Sequence, residues 1–131
     1  MKKTILSVCM TLLFLFVLQI SLAKDHQPEV NREAKVIAAF EINSFCKAIM
    51  QGDIQTVKKL IELGEDVNRK SLGKTPAHFA ARYNKPEILQ LLIDNGANLK
   101  ARCAKGYTVK KHAELSQAND ALEIINRAMK K

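Results

Sequence analysis

The sequence predicts an all-α solenoid of about three stacked helix–turn–helix repeats, and three observations predict it. Apolar residues return every 32 or 33 positions: Val57 falls on Leu89 and then Leu122, and Leu60 on Leu92 and then Ile125. Each period contains two stretches of helical apolar spacing, so the repeating unit is a helix pair and not a strand. Gly64 and Gly96 stand at matching places after the second stretch, where a left-handed residue ends a helix without a Cβ clash.

The 131-residue chain opens on a different pattern. Lys2 and Lys3 precede an apolar run over residues 5–18, broken only by Ser7 and Thr11, and Ser21-Leu22-Ala23 follows. A basic start, an apolar centre and a small-x-small site predict a secretory signal peptide over residues 1–23. The competing reading is an uncleaved anchor, but a spanning helix needs about 20 apolar residues, and Gln19 and Ser21 cut this run short. The short dibasic start is of bacterial kind, so the expectation is an exported protein, periplasmic or secreted. Cleavage after Ala23 leaves 108 residues, enough for one small domain.

Residues 24–42 carry Val30, Ala34, Ile37, Ala38 and Phe40 at roughly helical spacing. They are expected to form an N-terminal segment with a capping helix over the apolar end of the stack. The repeats then occupy about 43–70, 71–103 and 104–131. In the middle one, Thr75 is placed to cap the first helix with Pro76 at its first position. Ala80 and Ala81 let neighbouring first helices approach closely, and Leu89, Leu92 and Ile93 make the buried stripe of the second helix. Residues 65–71 and 97–105 read as extended fingers leading into the next repeat. In the last copy, Val109-Lys110-Lys111 is more polar than the middle one, as suits a capping repeat with solvent on one side.

The middle copy also carries a resemblance. Gly73-Lys74-Thr75-Pro76-Ala77-His78-Phe79-Ala80-Ala81 resembles the G-x-T-P-L-H-x-A-A opening of the ankyrin repeat, with Ala77 in place of leucine. Glu87-Ile88-Leu89-Gln90-Leu91-Leu92-Ile93-Asp94-Asn95-Gly96-Ala97-Asn98-Leu99 is similar to that family's E-I-V-x-L-L-L-x-x-G-A-D-V continuation. The resemblance runs from about residue 43 to the end. It implies a binding module that uses its fingers and first helices, the concave side, to recognise a protein. It also implies that His78 is structural, hydrogen-bonding backbone across the inter-repeat turn.

Charge is unevenly distributed. The whole chain carries a formal +8, and residues 67–111 alone hold ten bases against two acids. Arg69, Lys70 and Lys74 fall in one finger region, Lys100, Arg102 and Lys105 in the next, and Lys110 and Lys111 open the following helix. No acid stands in 68–74 or in 99–111. These eight residues form the candidate partner-binding surface, and its charge calls for a protein with an acidic surface. Nucleic acid fits poorly, since there is no tryptophan and that stretch offers only Tyr107 to stack on a base. The module is expected to be monomeric. It would serve as an inhibitor or immunity factor, or as a host-interacting factor. The alternative is an envelope-associated scaffold whose basic face rests on anionic lipid or cell-wall polymer.

No catalytic motif, metal-ligand spacing or cofactor-binding loop stands out, so no enzyme is expected. Cys46, His78 and Lys111 share one repeat position, and neighbouring helices pack about 10 Å apart, too far for a Cys–His nucleophile pair. By the same register Cys46 and Cys103 lie too far apart for an internal disulfide. Cys46 is expected to be a buried small side chain. Cys103 is expected to be more exposed and open to a bond between chains, and His112 to lie at the surface.

Overall fold

The computed structural model describes residues 41–131. The expected leader, and all but the last two residues of the expected N-terminal segment, lie outside that range. Six helices follow in sequence: α1 (Ser44–Gln51), α2 (Ile54–Glu62), α3 (Pro76–Arg82), α4 (Pro86–Asp94), α5 (Val109–Leu115) and α6 (Asn119–Met129). They form three pairs. The first helices α1, α3 and α5 lie side by side, and so do the second helices α2, α4 and α6. No helix among the described residues is long and apolar enough to cross a membrane.

Local chemistry sets the helix ends. Asn43 caps α1 by accepting the Cys46 N–H at 2.8 Å, and Asp53 caps α2 by accepting that of Thr56 at 3.1 Å. At α3 the cap is reciprocal: the Thr75 side chain receives the His78 backbone N–H, and the His78 imidazole receives that of Thr75. Pro76 takes the first helical position, where its missing N–H costs nothing. At α5 the simpler cap operates, with Thr108 Oγ1 accepting the Lys111 N–H at 3.2 Å.

The core is a ladder of equivalent positions. Val57 and Leu89 are fully buried, as are Leu92 and Ile125, with Leu60 and Leu122 partly buried at the two ends of the stack. Ala80 and Ala81, on the middle first helix α3, are fully buried. Each fully enclosed leucine or isoleucine contributes about 1.5–3 kcal/mol. One expectation shifts. Ile88 joins Leu89 and Leu92 in the buried stripe, whereas Ile93 is only partly covered, because its place on α4 falls at the margin of the apolar stripe.

Between the pairs, the chain extends into two fingers. In the first, Ser71 and Lys74 exchange backbone hydrogen bonds of 2.8 and 3.0 Å around Leu72 and Gly73, both at positive φ. That two-residue turn with left-handed central residues is the tight hairpin whose twist suits paired strands. In the second finger, the Cys103 N–H donates to the Tyr107 carbonyl and the Gly106 N–H to that of Cys103. The fingers are stitched together. Ala104 N–H donates to the Gly73 carbonyl at 2.9 Å, and Asn98 N–H to Asn68 Oδ1 at 2.8 Å. The surface they present is therefore preformed.

Candidate functional site

The eight predicted bases fall into groups that the sequence could not distinguish. Lys70 and Arg102 meet directly, since the Lys70 ammonium donates to the Arg102 carbonyl at 3.0 Å across the two fingers. Arg102 in turn donates through its guanidinium to the Gly106 carbonyl at 2.9 Å, fixing its own finger. Lys74 is half-buried, with its ammonium 5.9 Å from the centre of the Phe79 ring. Lys74 and Lys105 both act on His112, and Lys70 and Lys74 both act on His78, so bases of both fingers contribute to one positive field.

The other four are less concerted. Arg69 faces Glu65 at 3.8 Å and Lys111 faces Glu114 at 3.7 Å, so each carries a local counter-charge. Such exposed pairs are worth little energetically, but they dilute the charge offered to a partner. Lys100 is exposed and Lys110 half-buried, and neither makes an ion pair among the described residues. The unopposed part of the face is thus Lys70, Lys74, Lys100, Arg102, Lys105 and Lys110.

Beneath these bases lies a polar cluster that spacing did not reveal. His78, fully buried, donates through Nε2 to the Tyr107 carbonyl at 3.1 Å, the inter-repeat bond the resemblance implied. A carbonyl only accepts, so Nε2 carries the proton and Nδ1 takes the Thr75 N–H and hydroxyl. His112, expected at the surface, is 5% exposed, and Cys103, expected to be open, is 6% exposed. His112 Nε2 stands 3.3 Å from Cys103 Sγ. The reason is register: His112 falls 33 positions after Phe79, an inward-facing place, so its imidazole fills the space that a phenyl ring fills one repeat earlier. Enclosed in this way, Cys103 has no open path to a second chain. Both Cys46 and Cys103 are free thiols, and burial pushes the Cys46 thiol up to about 12, leaving it inert.

The electrostatics of the cluster follow from burial and the bases above it. Burial, then His78, Arg82, Lys74 and Lys105, push His112 down to about 4. His78 is also lowered, first by burial. Burial raises the Cys103 thiol, but backbone groups of Tyr107 and Lys105 and the charge of Lys74 outweigh it, so it sits below its ordinary value. A pH dependence of stability follows. The unfolded chain protonates His112 near pH 6.5 and the folded chain near 4, so between those values the unfolded state holds the extra proton. Stability is therefore intact above about pH 6.5 and falls towards pH 4, by up to about 3 kcal/mol. Urea unfolding at successive pH values tests this. The decline is expected to be shallower in His112→Phe, and a flat wild-type profile contradicts it.

Paired helices stacked side by side and joined by mutually bonded fingers define a helical-repeat protein. The family model described as ankyrin repeats (three copies) matches residues 16–127, and the chain belongs to the ankyrin-repeat family. Proteins of this family are generally non-enzymatic binding modules. Among relatives, the human ankyrin repeat and SOCS box protein 11 is 49% identical over 53 residues, 40% of this chain and 16% of that protein. A putative ankyrin repeat protein of Rickettsia bellii is 36% identical over 81 residues, 58% of this chain and 12% of its own length. The chain thus spans only a small part of these relatives. A chain in the solved complex of a Bdellovibrio bacteriovorus predatory endopeptidase with an immunity protein superposes with a TM-score of 0.62. It is 27% identical, and the match covers 67% of this chain and 47% of that one.

Proposed function

We propose that the protein is an exported ankyrin-repeat module that recognises an acidic surface on a partner protein through its fingers and first helices. The observation that carries this reading is the run of bases on two mutually bonded fingers, with no acid in residues 68–74 or 99–111. A preformed surface loses little ordering entropy on docking, and one sign of charge steers an oppositely charged partner. The layout of residues 1–23 supports export. The likeness to a chain in an endopeptidase–immunity complex supports a role in neutralising an enzyme, as an inhibitor or immunity factor. A host-interacting factor uses the same face in the same manner.

The competing use of this face is contact with anionic lipid or cell-wall polymer. Capture from the native envelope fraction at rising salt separates the two. Protein recognition predicts one acidic protein held in stoichiometric amount above roughly 0.3 M salt, where screening removes diffuse attraction. Retention only on anionic vesicles, lost by that salt, contradicts the proposal.

A further inference from the structure

Three side chains from two repeats converge under the basic fingers: His78 on α3, His112 on α5 and Cys103 in the second finger. All three are buried, and the ligand atoms they offer lie within 4.8 Å of one another. The two imidazoles meet edge to face, with centroids 5.0 Å apart and planes at 86°. Around a thiophilic closed-shell metal, bonds of about 2.3 Å to sulfur and about 2.0 Å to nitrogen place neighbouring ligand atoms about 3.5 Å apart. The 3.3 Å separation of Cys103 Sγ from His112 Nε2 already has that spacing. His78 offers the third ligand atom within 4.8 Å of the other two, so a shift of about 1 Å brings it to the spacing of bonded ligands.

Ligand type and charge together select the ion. Imidazole and thiolate are ligands for copper and zinc and not for magnesium or calcium. A zinc ion with one thiolate and two neutral imidazoles leaves a net positive charge, and Lys74, Lys105 and Arg82 all act on this pocket. A cuprous ion with the same ligands is neutral. Low solvent exposure makes that difference count, and three-fold coordination by one sulfur and two nitrogens suits a soft monovalent ion. We propose that Cys103, His112 and His78 form a Cu(I) site set beneath the finger face.

Binding forms one Cu–S and two Cu–N bonds, and the Cys103 thiol proton leaves to solvent with no electron transferred. His112 binds through Nε2. His78 exchanges its Nε2 bond to the Tyr107 carbonyl for the metal, and its proton moves to Nδ1, where it is donated to Thr75 Oγ1, now 2.7 Å away, so that the Thr75 N–H and hydroxyl both give up Nδ1 as their acceptor. Thr75 thereby orients the ring, as a hydrogen-bond partner of a metal-bound histidine does. Residues 105–107, exposed and close to Cys103 in the chain, are the part of the finger that has to move to admit the ion. Loading would reset the second finger, because Tyr107 loses its histidine bond, and so couple copper to the binding face.

The test uses the full chain, reduced and under anaerobic conditions, titrated with Cu(I) against a chromophoric Cu(I) chelator. One equivalent is expected to be withheld from the chelator by the wild type and by a Cys9→Ser/Cys46→Ala variant, whose only thiol is Cys103. Cys103→Ser is expected to lower the affinity by at least about 100-fold, and His112→Phe to do so with the circular dichroism unchanged. X-ray absorption of the loaded wild type should report one sulfur and two nitrogens, a readout that needs no variant to fold. Failure to withhold copper from the chelator overturns the proposal. Equal affinity in Cys103→Ser, or displacement of Cu(I) by Zn(II), overturns it as well.

Discussion

Replacing Leu92 with alanine is expected to lower the unfolding free energy by about 2–5 kcal/mol, towards the upper end. Leu92 is fully buried in α4, the middle second helix, and α4 packs against both α2 and α6. In a stack whose stability is a sum of repeats and nearest-neighbour interfaces, a central cavity weakens two interfaces at once. The neighbours cannot close the gap without pulling the ladder of Leu60 and Ile125 out of register. Leu60→Ala, at the half-open end of that ladder, is expected to cost less. Urea unfolding followed by far-UV circular dichroism compares the two. A larger loss for Leu60→Ala contradicts the assignment of Leu92 to the centre of the core.

Gly73→Ala is expected to cost about 2–4 kcal/mol, from two separable causes. The residue sits at φ +72°, where a side chain adds about 1–2 kcal/mol of backbone strain. A Cβ there would also stand 2.7 Å from the Ala104 Cβ on the second finger, inside any real contact distance. Ala104 cannot simply withdraw, because its N–H is bonded to the Gly73 carbonyl. In an Ala104→Gly background the steric part vanishes and only the backbone part remains. The double-mutant cycle should therefore show coupling between the two positions. Strict additivity would mean that the fingers do not touch at this point.

These two residues mark what the sequence makes legible. Leu92 could be placed from spacing alone, because the repeat forces equivalent positions into equivalent environments. The turn at Gly73 was legible as a break, but its contact with Ala104 joins positions whose nearness depends on how one finger lies on the next. The same limit hid the polar cluster. Cys103 lies in a finger, where no periodicity reports which side faces in. His112 lies one place beyond the counterpart of His78, at the position Phe79 holds one repeat earlier, and its polar side chain gave no sign that this place faces inward. The bases were legible as a cluster, but not that Arg69 and Lys111 spend their charge on Glu65 and Glu114 while Lys70 ties the fingers together.

The decisive measurement is the affinity of the captured acidic partner for two charge-reversed forms of the protein. Lys100→Glu/Lys105→Glu alters the finger face at exposed positions that make no ion pair among the described residues. Lys58→Glu/Lys59→Glu makes the same change in charge on the exposed side of the second helix α2. Recognition through the fingers predicts a weakening of about 10-fold or more in the first form, mainly through slower association, with the second close to wild type. Equal loss in both forms would reduce the effect to net charge, and loss in the α2 form alone would place the partner on the opposite side of the stack.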